Sequence, residues 1–144
     1  MSPTDRGHRR KKPSRFIVVG HSAIDADHEA ILKCCNEIAA ATSNALEIQL
    51  HRLRSLLSNH FQHEELLLKQ AGSKLCGCHV RDHALFLELC DKAIEANRQK
   101  HSESRELILR ELLPTLQEHI AYRDQLIALH LNSIEDPPAS SRDK

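Results

Sequence analysis

No proline occurs between Pro13 and Pro114, a span that covers most of this 144-residue chain. Proline ends or kinks helices because it lacks a backbone N–H and its ring clashes with the preceding turn, so its absence permits long helices. Leu occurs 21 times and Val only 3 times, and γ-branched side chains lose less rotamer freedom in a helix than β-branched ones. We therefore predict an all-α protein, and the composition argues against a β-sandwich or an α/β nucleotide-binding fold.

Four amphipathic stretches account for the middle of the chain. Apolar residues recur in each at helical spacing, as Leu50, Leu53 and Leu57 do in the second. The predicted helices span about residues 24–42, 45–70, 78–97 and 104–132. Because the breaks are short, neighbouring helices should run antiparallel and form an up-down-up-down four-helix bundle over residues 16–133. Pro114 lies inside the fourth stretch and predicts a kink or a restarted helix there.

The two ends of the chain are polar. Residues 1–15 carry six basic side chains and no apolar residue after Met1, which predicts a flexible basic tail. Such a tail could bind an acidic partner or a membrane surface, or it could be a solvated extension without a partner. We favour the solvated extension. Residues 134–144 form a second polar tail.

Overall charge and cysteine content limit the partners and the location. The 20 basic and 20 acidic residues cancel, which argues against a nucleic-acid partner. No apolar run approaches the roughly 18 residues of a membrane span, so no membrane association is predicted. Five cysteines in a chain of this size indicate reduced thiols and a cytoplasmic location.

Cys76 and Cys78 are open to three interpretations, as half of a zinc site, a redox-active pair or loop thiols, and the last is favoured.

Histidine, with 11 copies, is the most informative residue type. His60 and Glu64 lie four residues apart on the second predicted helix, so they project from one face. His79 and His83 repeat this spacing on the third helix. The first and fourth helices contribute His28 and His119 on their apolar stripes. Each predicted helix therefore directs at least one imidazole into the same interior.

Five buried imidazoles and a carboxylate would need polar partners, and a metal site supplies them together. Imidazole and carboxylate ligands suit iron, zinc or copper. Five imidazoles are too many for one tetrahedral zinc, and a carboxylate can bridge two ions, which points to a dinuclear site. Because no thiolate is required, iron is favoured among the redox metals.

At these positions the chain resembles the hemerythrin family over about residues 16–131. The resemblance is carried by Val19-Gly20-His21, Ile24-Asp25-Ala26-Asp27-His28, His60-Phe61-Gln62-His63-Glu64-Glu65, His79-x3-His83 and His119-Ile120-x3-Asp124. Seven ligand positions of the family are filled by the expected residue types in order. Two departures are present: Thr115 stands where the family often has Trp, and only Phe16 could serve as the aromatic residue ahead of the first motif.

The resemblance implies two iron ions with an oxo or hydroxo bridge. One iron would be held by His79, His83 and His119, the other by His28 and His60, with Glu64 and Asp124 bridging them. Asp124 depends on the family pattern alone, because five residues from His119 is about 140° around an ideal α-helix.

The function that the resemblance implies is reversible dioxygen binding at the open position of the two-histidine iron, for oxygen storage, delivery or sensing. Ile31, Phe61 and Leu116 are expected to wall that position, and ordinary core packing would place them in the same way. No catalytic residue is predicted, so a binding protein is favoured over an enzyme. The alternative is a redox or stress enzyme, or a sensor, that acts on peroxide or nitric oxide at the same site. Thr115 predicts a more open oxygen pocket, which would admit nitric oxide as a second ligand. The sequence does not predict an oligomeric state.

Overall fold

The computed structural model describes residues 18–135. Three long helices span Ser22–Ala40, Ser43–Gln70 and Gly77–Arg98, and a fourth runs continuously over residues 104–135. Each helix contacts the next along the chain, and the fourth also contacts the first, which closes a four-helix bundle. The predicted all-α, four-helix bundle fold is confirmed for the described residues. The basic tail, Phe16 and residues 136–144 lie outside the described part of the chain.

Local capping contacts explain where the second and third helices begin and where the second ends. Thr42 Oγ1 accepts a hydrogen bond from the N–H of Ala45 at 3.3 Å, which satisfies one of the unpaired donors of the second helix. Cys76 Sγ accepts from the N–H of His79 at 3.4 Å at the start of the third. Gly72, at φ +75°, turns the chain after the second helix, a conformation that residues with a Cβ rarely adopt.

The core consists mainly of leucine and isoleucine side chains from all four helices. Its fully buried members include Ile24, Ile31, Ile38, Leu50, Leu53, Leu57, Phe86, Ile108, Leu112, Leu116 and Ile120. These positions follow the helical spacing that the sequence predicted, because each helix buries one apolar stripe. No helix within residues 18–135 is long and apolar enough to cross a membrane.

The fourth helix alternates between α and π geometry. Its α-helical segments are Ser104–Glu106, Leu113–His119 and Gln125–Glu135, and its π-helical segments are Leu107–Leu112 and Ile120–Asp124. The first π segment ends just before Pro114, which occupies the first turn of the next α segment, where a missing N–H is tolerated. The predicted restart near Pro114 is present. The helix also extends past its predicted end near residue 132 to Glu135.

Candidate metal centre

Seven polar side chains from all four helices meet in the interior of the bundle. They are His28, His60, Glu64, His79, His83, His119 and Asp124, the set that the sequence analysis selected, and none is more than 6% exposed. The amphipathic periodicity of each helix brings them together, because every one of them lies on the face that also carries core residues.

The seven side chains divide into two groups that share a carboxylate. One group comprises His79, His83, His119 and Asp124, and the other His28, His60, Glu64 and Asp124. Within each group the candidate ligand atoms lie within 4.8 Å of one another. This is the division into three and two histidines that the resemblance implied.

Both carboxylates extend one oxygen toward each group. Asp124 Oδ1 lies 3.0 Å from His119 Nε2, and its Oδ2 lies 2.8 Å from His28 Nε2. Glu64 Oε2 lies 3.1 Å from His79 Nε2, while Oε1 contacts His60 Nε2. A carboxylate placed in this way is suited to bridging two cations.

The second π segment explains how Asp124 reaches the cluster. Ile120–Asp124 is π-helical and starts immediately after His119. Because a π turn is closed by a hydrogen bond between residues five apart, it brings positions i and i+5 closer to one face than an α turn does. His119 and Asp124 therefore converge, although an ideal α-helix would hold them far apart around its axis.

The cluster leaves buried polar atoms without hydrogen-bond partners among the described residues. These atoms are the Nε2 of His79, His83 and His119, both carboxylate oxygens of Glu64, and Asp124 Oδ1. Burying a polar atom without a hydrogen-bond partner costs on the order of several kcal/mol of desolvation free energy. Cations coordinated by these atoms would satisfy them together. The donor set of imidazole nitrogens and carboxylate oxygens fits two iron ions, and it also suits zinc or copper.

Without a cation, protonated histidines balance the negative charge of the two carboxylates. Burial alone would raise the pKa of Asp124, but the close approach of His119, His28 and other histidines holds it well below its ordinary value. Burial alone would lower the pKa of His79, but the negative charges of Asp124 and Glu64 close to its Nε2 raise it to about 9. Burial lowers the pKa of His83 to about 3. Cation binding at this site must therefore displace protons from some of these histidines.

Two aspartates outside the cluster orient its histidines. His60 Nδ1 lies 3.0 Å from Asp27 Oδ2, and His119 Nδ1 lies 3.0 Å from Asp82 Oδ2. If each Nδ1–H donates to its carboxylate, the Nε2 lone pair faces the cluster, which is the tautomer a metal ligand needs.

Sequence reasoning missed the role of these aspartates. Each directly precedes a cluster histidine, Asp27 before His28 and Asp82 before His83, but each bonds a histidine on a different helix. Their position beside a histidine was the available signal, although it does not identify the partner. Asp27 Oδ2 also lies 2.8 Å from Nδ1 of the more exposed His63.

The three expected wall residues are all buried. Ile31 and Leu116 are fully buried, and Phe61 is 5% exposed. The Phe61 ring stacks on His83 at a centroid distance of 3.8 Å and an interplanar angle of 8°, and it is tilted against His60 at 5.8 Å. Phe61 therefore packs more closely against the three-histidine group than against the two-histidine group.

A surface cavity reaches the other side of the three-histidine group. Its volume is about 440 Å³, and Asp82, Thr115, His119, Tyr122 and Arg123 are among the residues that line it. The small side chain of Thr115 lies at this opening. The opening is beside the three-histidine group, so the more open oxygen pocket expected at the two-histidine group stays a prediction.

The fold and the site together define a class of protein, a four-helix bundle with a buried cation-binding site built from histidine and carboxylate side chains. Residues 19–129 match the hemerythrin HHE cation binding domain, and the chain belongs to this family. It is also similar to a protein named bacteriohemerythrin from Stenotrophomonas maltophilia (strain R551-3), with 27% identity over 122 residues that cover 79% of each chain. A search of solved structures gave no match. The family expected from the sequence motifs is confirmed.

Proposed function

We propose that this protein binds dioxygen reversibly at a non-haem centre of two iron ions, in oxygen storage, delivery or sensing. The seven clustered side chains would be the ligands, with His79, His83 and His119 on one iron and His28 and His60 on the other. Glu64 and Asp124 would bridge the pair. When bound, two ferrous ions supply the electrons that reversible dioxygen binding requires.

The observation that carries the proposal is that the two groups contain different numbers of histidines. Both carboxylates lie against both groups, so the two groups differ by one histidine. The group of His28 and His60 therefore has one protein donor fewer, which leaves room for an external ligand. Membership of the cation-binding family supports the metal, and the similarity to a protein named bacteriohemerythrin supports iron.

The surrounding residues suit reversible binding of a small apolar molecule. Ile31 and Leu116 are fully buried, so they exclude water from the cluster and keep its local dielectric low. Asp27 and Asp82 lie within hydrogen-bond distance of Nδ1 of His60 and His119, and these contacts would keep the ring orientations constant when a ligand enters or leaves. A binding protein, rather than an enzyme, and a cytoplasmic location form part of this proposal.

The second candidate is a redox or stress enzyme, or a sensor, that acts on peroxide or nitric oxide at the same site. The cavity beside Thr115 favours it, because this cavity brings solvent to the edge of His119. Water and protons that reach the site would shorten the lifetime of any bound oxygen species.

Iron content and the optical spectrum, recorded before and after oxygen is admitted, test the proposal. We expect two irons per chain and a visible band that appears in air and disappears under vacuum. Rapid decay of this band with consumption of reductant would support the enzyme instead. A colourless protein with no iron after reconstitution would exclude both.

A His79→Ala variant tests the ligand assignment. We expect it to bind fewer than two irons per chain, because it loses one ligand of the three-histidine group. His51→Ala, which removes an exposed histidine of the second helix, should retain both. Two irons per chain in His79→Ala would contradict the assignment.

A further inference from the structure

Two cysteines at the start of the third helix form a close pair outside the metal cluster. Cys76 Sγ and Cys78 Sγ lie 2.7 Å apart and share a hydrogen bond. Cys76 is exposed and Cys78 is partly buried, whereas Cys34, Cys35 and Cys90 are buried in the core. The two sulfurs are therefore the accessible thiols of the described residues, and they are already near bonding distance.

Hydrogen-bond donors contact both sulfurs of this pair. The Arg123 Nη1 donates to Cys78 Sγ at 2.9 Å, and the backbone N–H of His79 donates to Cys76 Sγ at 3.4 Å. Cys76 also occupies the N-cap of the third helix. A thiolate is the form of cysteine that attacks disulfides.

A cavity of about 280 Å³ gives small molecules access to Cys76. Lys74, Cys76, Arg123 and His130 are among the residues that line it. Two of these side chains are cationic at neutral pH. A molecule that bears carboxylates is therefore a better match for this cavity than a cationic one.

A metal ion is a poor alternative explanation for the paired sulfurs. Among the described residues, two groups could hold a metal ion, and neither contains a cysteine. The two sulfurs alone fall short of the four ligands that a structural zinc site needs.

We propose that Cys76 and Cys78 are a second redox site, a dithiol that exchanges with carboxylate-bearing, low-molecular-weight disulfides. The Cys76 thiolate attacks one sulfur of the external disulfide, a mixed disulfide forms, and one small thiolate leaves. Cys78 then loses its proton to solvent and attacks the Cys76 sulfur, which forms the Cys76–Cys78 bond and releases the second small thiolate. The protein dithiol is oxidised by two electrons, and the external disulfide is reduced by two.

This exchange is expected to be reversible. One residue separates the two cysteines, so the ring that the new bond closes is small and exposed. Strained or exposed disulfides are readily reduced, in contrast to the structural disulfides of secreted proteins. The exchange needs no metal, so it is independent of the dioxygen proposal.

The test is a redox titration of the purified full-length protein in buffers of reduced and oxidised glutathione, read by mass spectrometry after thiol trapping. We expect the wild type to lose two hydrogen atoms, with the new bond located by peptide mapping between Cys76 and Cys78. Excess reduced glutathione should restore both thiols. Cystamine, a disulfide of opposite charge, should react several-fold more slowly than oxidised glutathione at matched concentration.

Single serine variants provide the controls. Cys78→Ser should stop at the mixed disulfide with glutathione, because the resolving sulfur is missing, and Cys76→Ser should stay largely unmodified, because the attacking sulfur is missing. Cys90→Ser, which changes a buried thiol, should behave like the wild type. The proposal is overturned if the wild type retains both thiols or accumulates glutathione on both sulfurs, and the charge selection is overturned if cystamine reacts as fast as oxidised glutathione.

Discussion

At the residue scale, the cluster depends on side chains that would not themselves bind a metal. Asp82 Oδ2 lies 3.0 Å from His119 Nδ1 and 2.5 Å from the Nε of Arg123. Asp27 has the corresponding role for His60. Partners of this kind select the tautomer and ring orientation of a ligand histidine, so they influence metal affinity without touching the metal.

Removing the carboxylate of Asp82 should therefore weaken metal binding. We expect Asp82→Ala to lower metal affinity by about 10- to 100-fold, the usual cost of losing such a partner. Competition with a chromophoric chelator measures this change. Asp91→Ala is the matched control, because Asp91 lies on the same helix and also pairs with an arginine, Arg54 at 2.6 Å. Equal affinities in the two variants would show that Asp82 does not orient His119 in a way that matters for binding.

Leu116 allows a second test at this scale. Leu116→Ala should lose about 2–5 kcal/mol of unfolding free energy, as truncations of buried leucine do, and should shorten the lifetime of the oxygenated form because water enters the space. Leu50→Ala removes another buried leucine about 15 Å along the second helix from His60. It should lose comparable stability and keep the wild-type rate of autoxidation, measured from the decay of the visible band. The same rate in both variants would mean that Leu116 does not wall the site.

At the scale of helices, the fourth helix has two tasks beyond packing. Its π segment at Ile120–Asp124 brings Asp124 to the cluster. Near its other end, Arg105 closes the first helix, since Nη1 donates to the carbonyl oxygens of Ile38 at 2.7 Å and Ala41 at 2.8 Å. The last carbonyls of a helix have no partner within it, so this guanidinium replaces a missing cap.

We expect Arg105→Ala to lower the free energy of unfolding by about 1.5–3 kcal/mol, the range for hydrogen bonds to charged groups. Urea denaturation followed by circular dichroism measures this change. Arg110→Ala is the control on the same helix, because Arg110 is exposed and its nearest carboxylate, on Glu106, is 3.9 Å away. Such a pair contributes about 0.5 kcal/mol or less. A loss for Arg105→Ala as small as that of its control would argue against the capping role.

At the scale of the whole molecule, the bundle encloses a concentrated set of ionisable groups at its centre. Two buried carboxylates face five buried imidazoles, and four helices must remain packed to keep them together. The unfolded chain does not hold these groups in place, so cations that bind the cluster also stabilise the fold. Removal of the metal should expose the pH dependence of the cluster itself.

The stability of the metal-free protein should pass through a maximum. The pKa of His79 is raised to about 9 from an ordinary 6.5. His79 therefore stabilises the fold fully below pH 6.5, and this contribution is lost as the pH rises through 9. With its pKa lowered to about 3, His83 stabilises the fold above pH 6.5, and this contribution is lost as the pH falls toward 3. The two opposing trends place the maximum near pH 6.5.

Urea denaturation of chelator-treated protein at about pH 5, 6.5 and 9 measures this profile. We expect the free energy of unfolding to be highest at the middle value. Addition of the metal should remove most of the decline on the alkaline side, because the ligand histidines are then already deprotonated. A metal-free profile that rises steadily from pH 5 to 9 would contradict the pairing of His79 with the carboxylates.

The sequence by itself determined the helices, the buried stripes and six of the seven side chains of the cluster, whereas Asp124 was predicted only from the resemblance to the family. It could do so because helical periodicity is local, and residues such as His60 and Glu64 share a face whatever packs against it. Tertiary structure alone decided that Asp27 bonds His60 and that Asp82 bonds His119, because these contacts depend on how neighbouring helices are rotated and staggered. It also decided the geometry of Asp124, because a π turn replaces an α turn between His119 and Asp124. No proline or glycine lies between these two residues, so the sequence carries no local signal for this change.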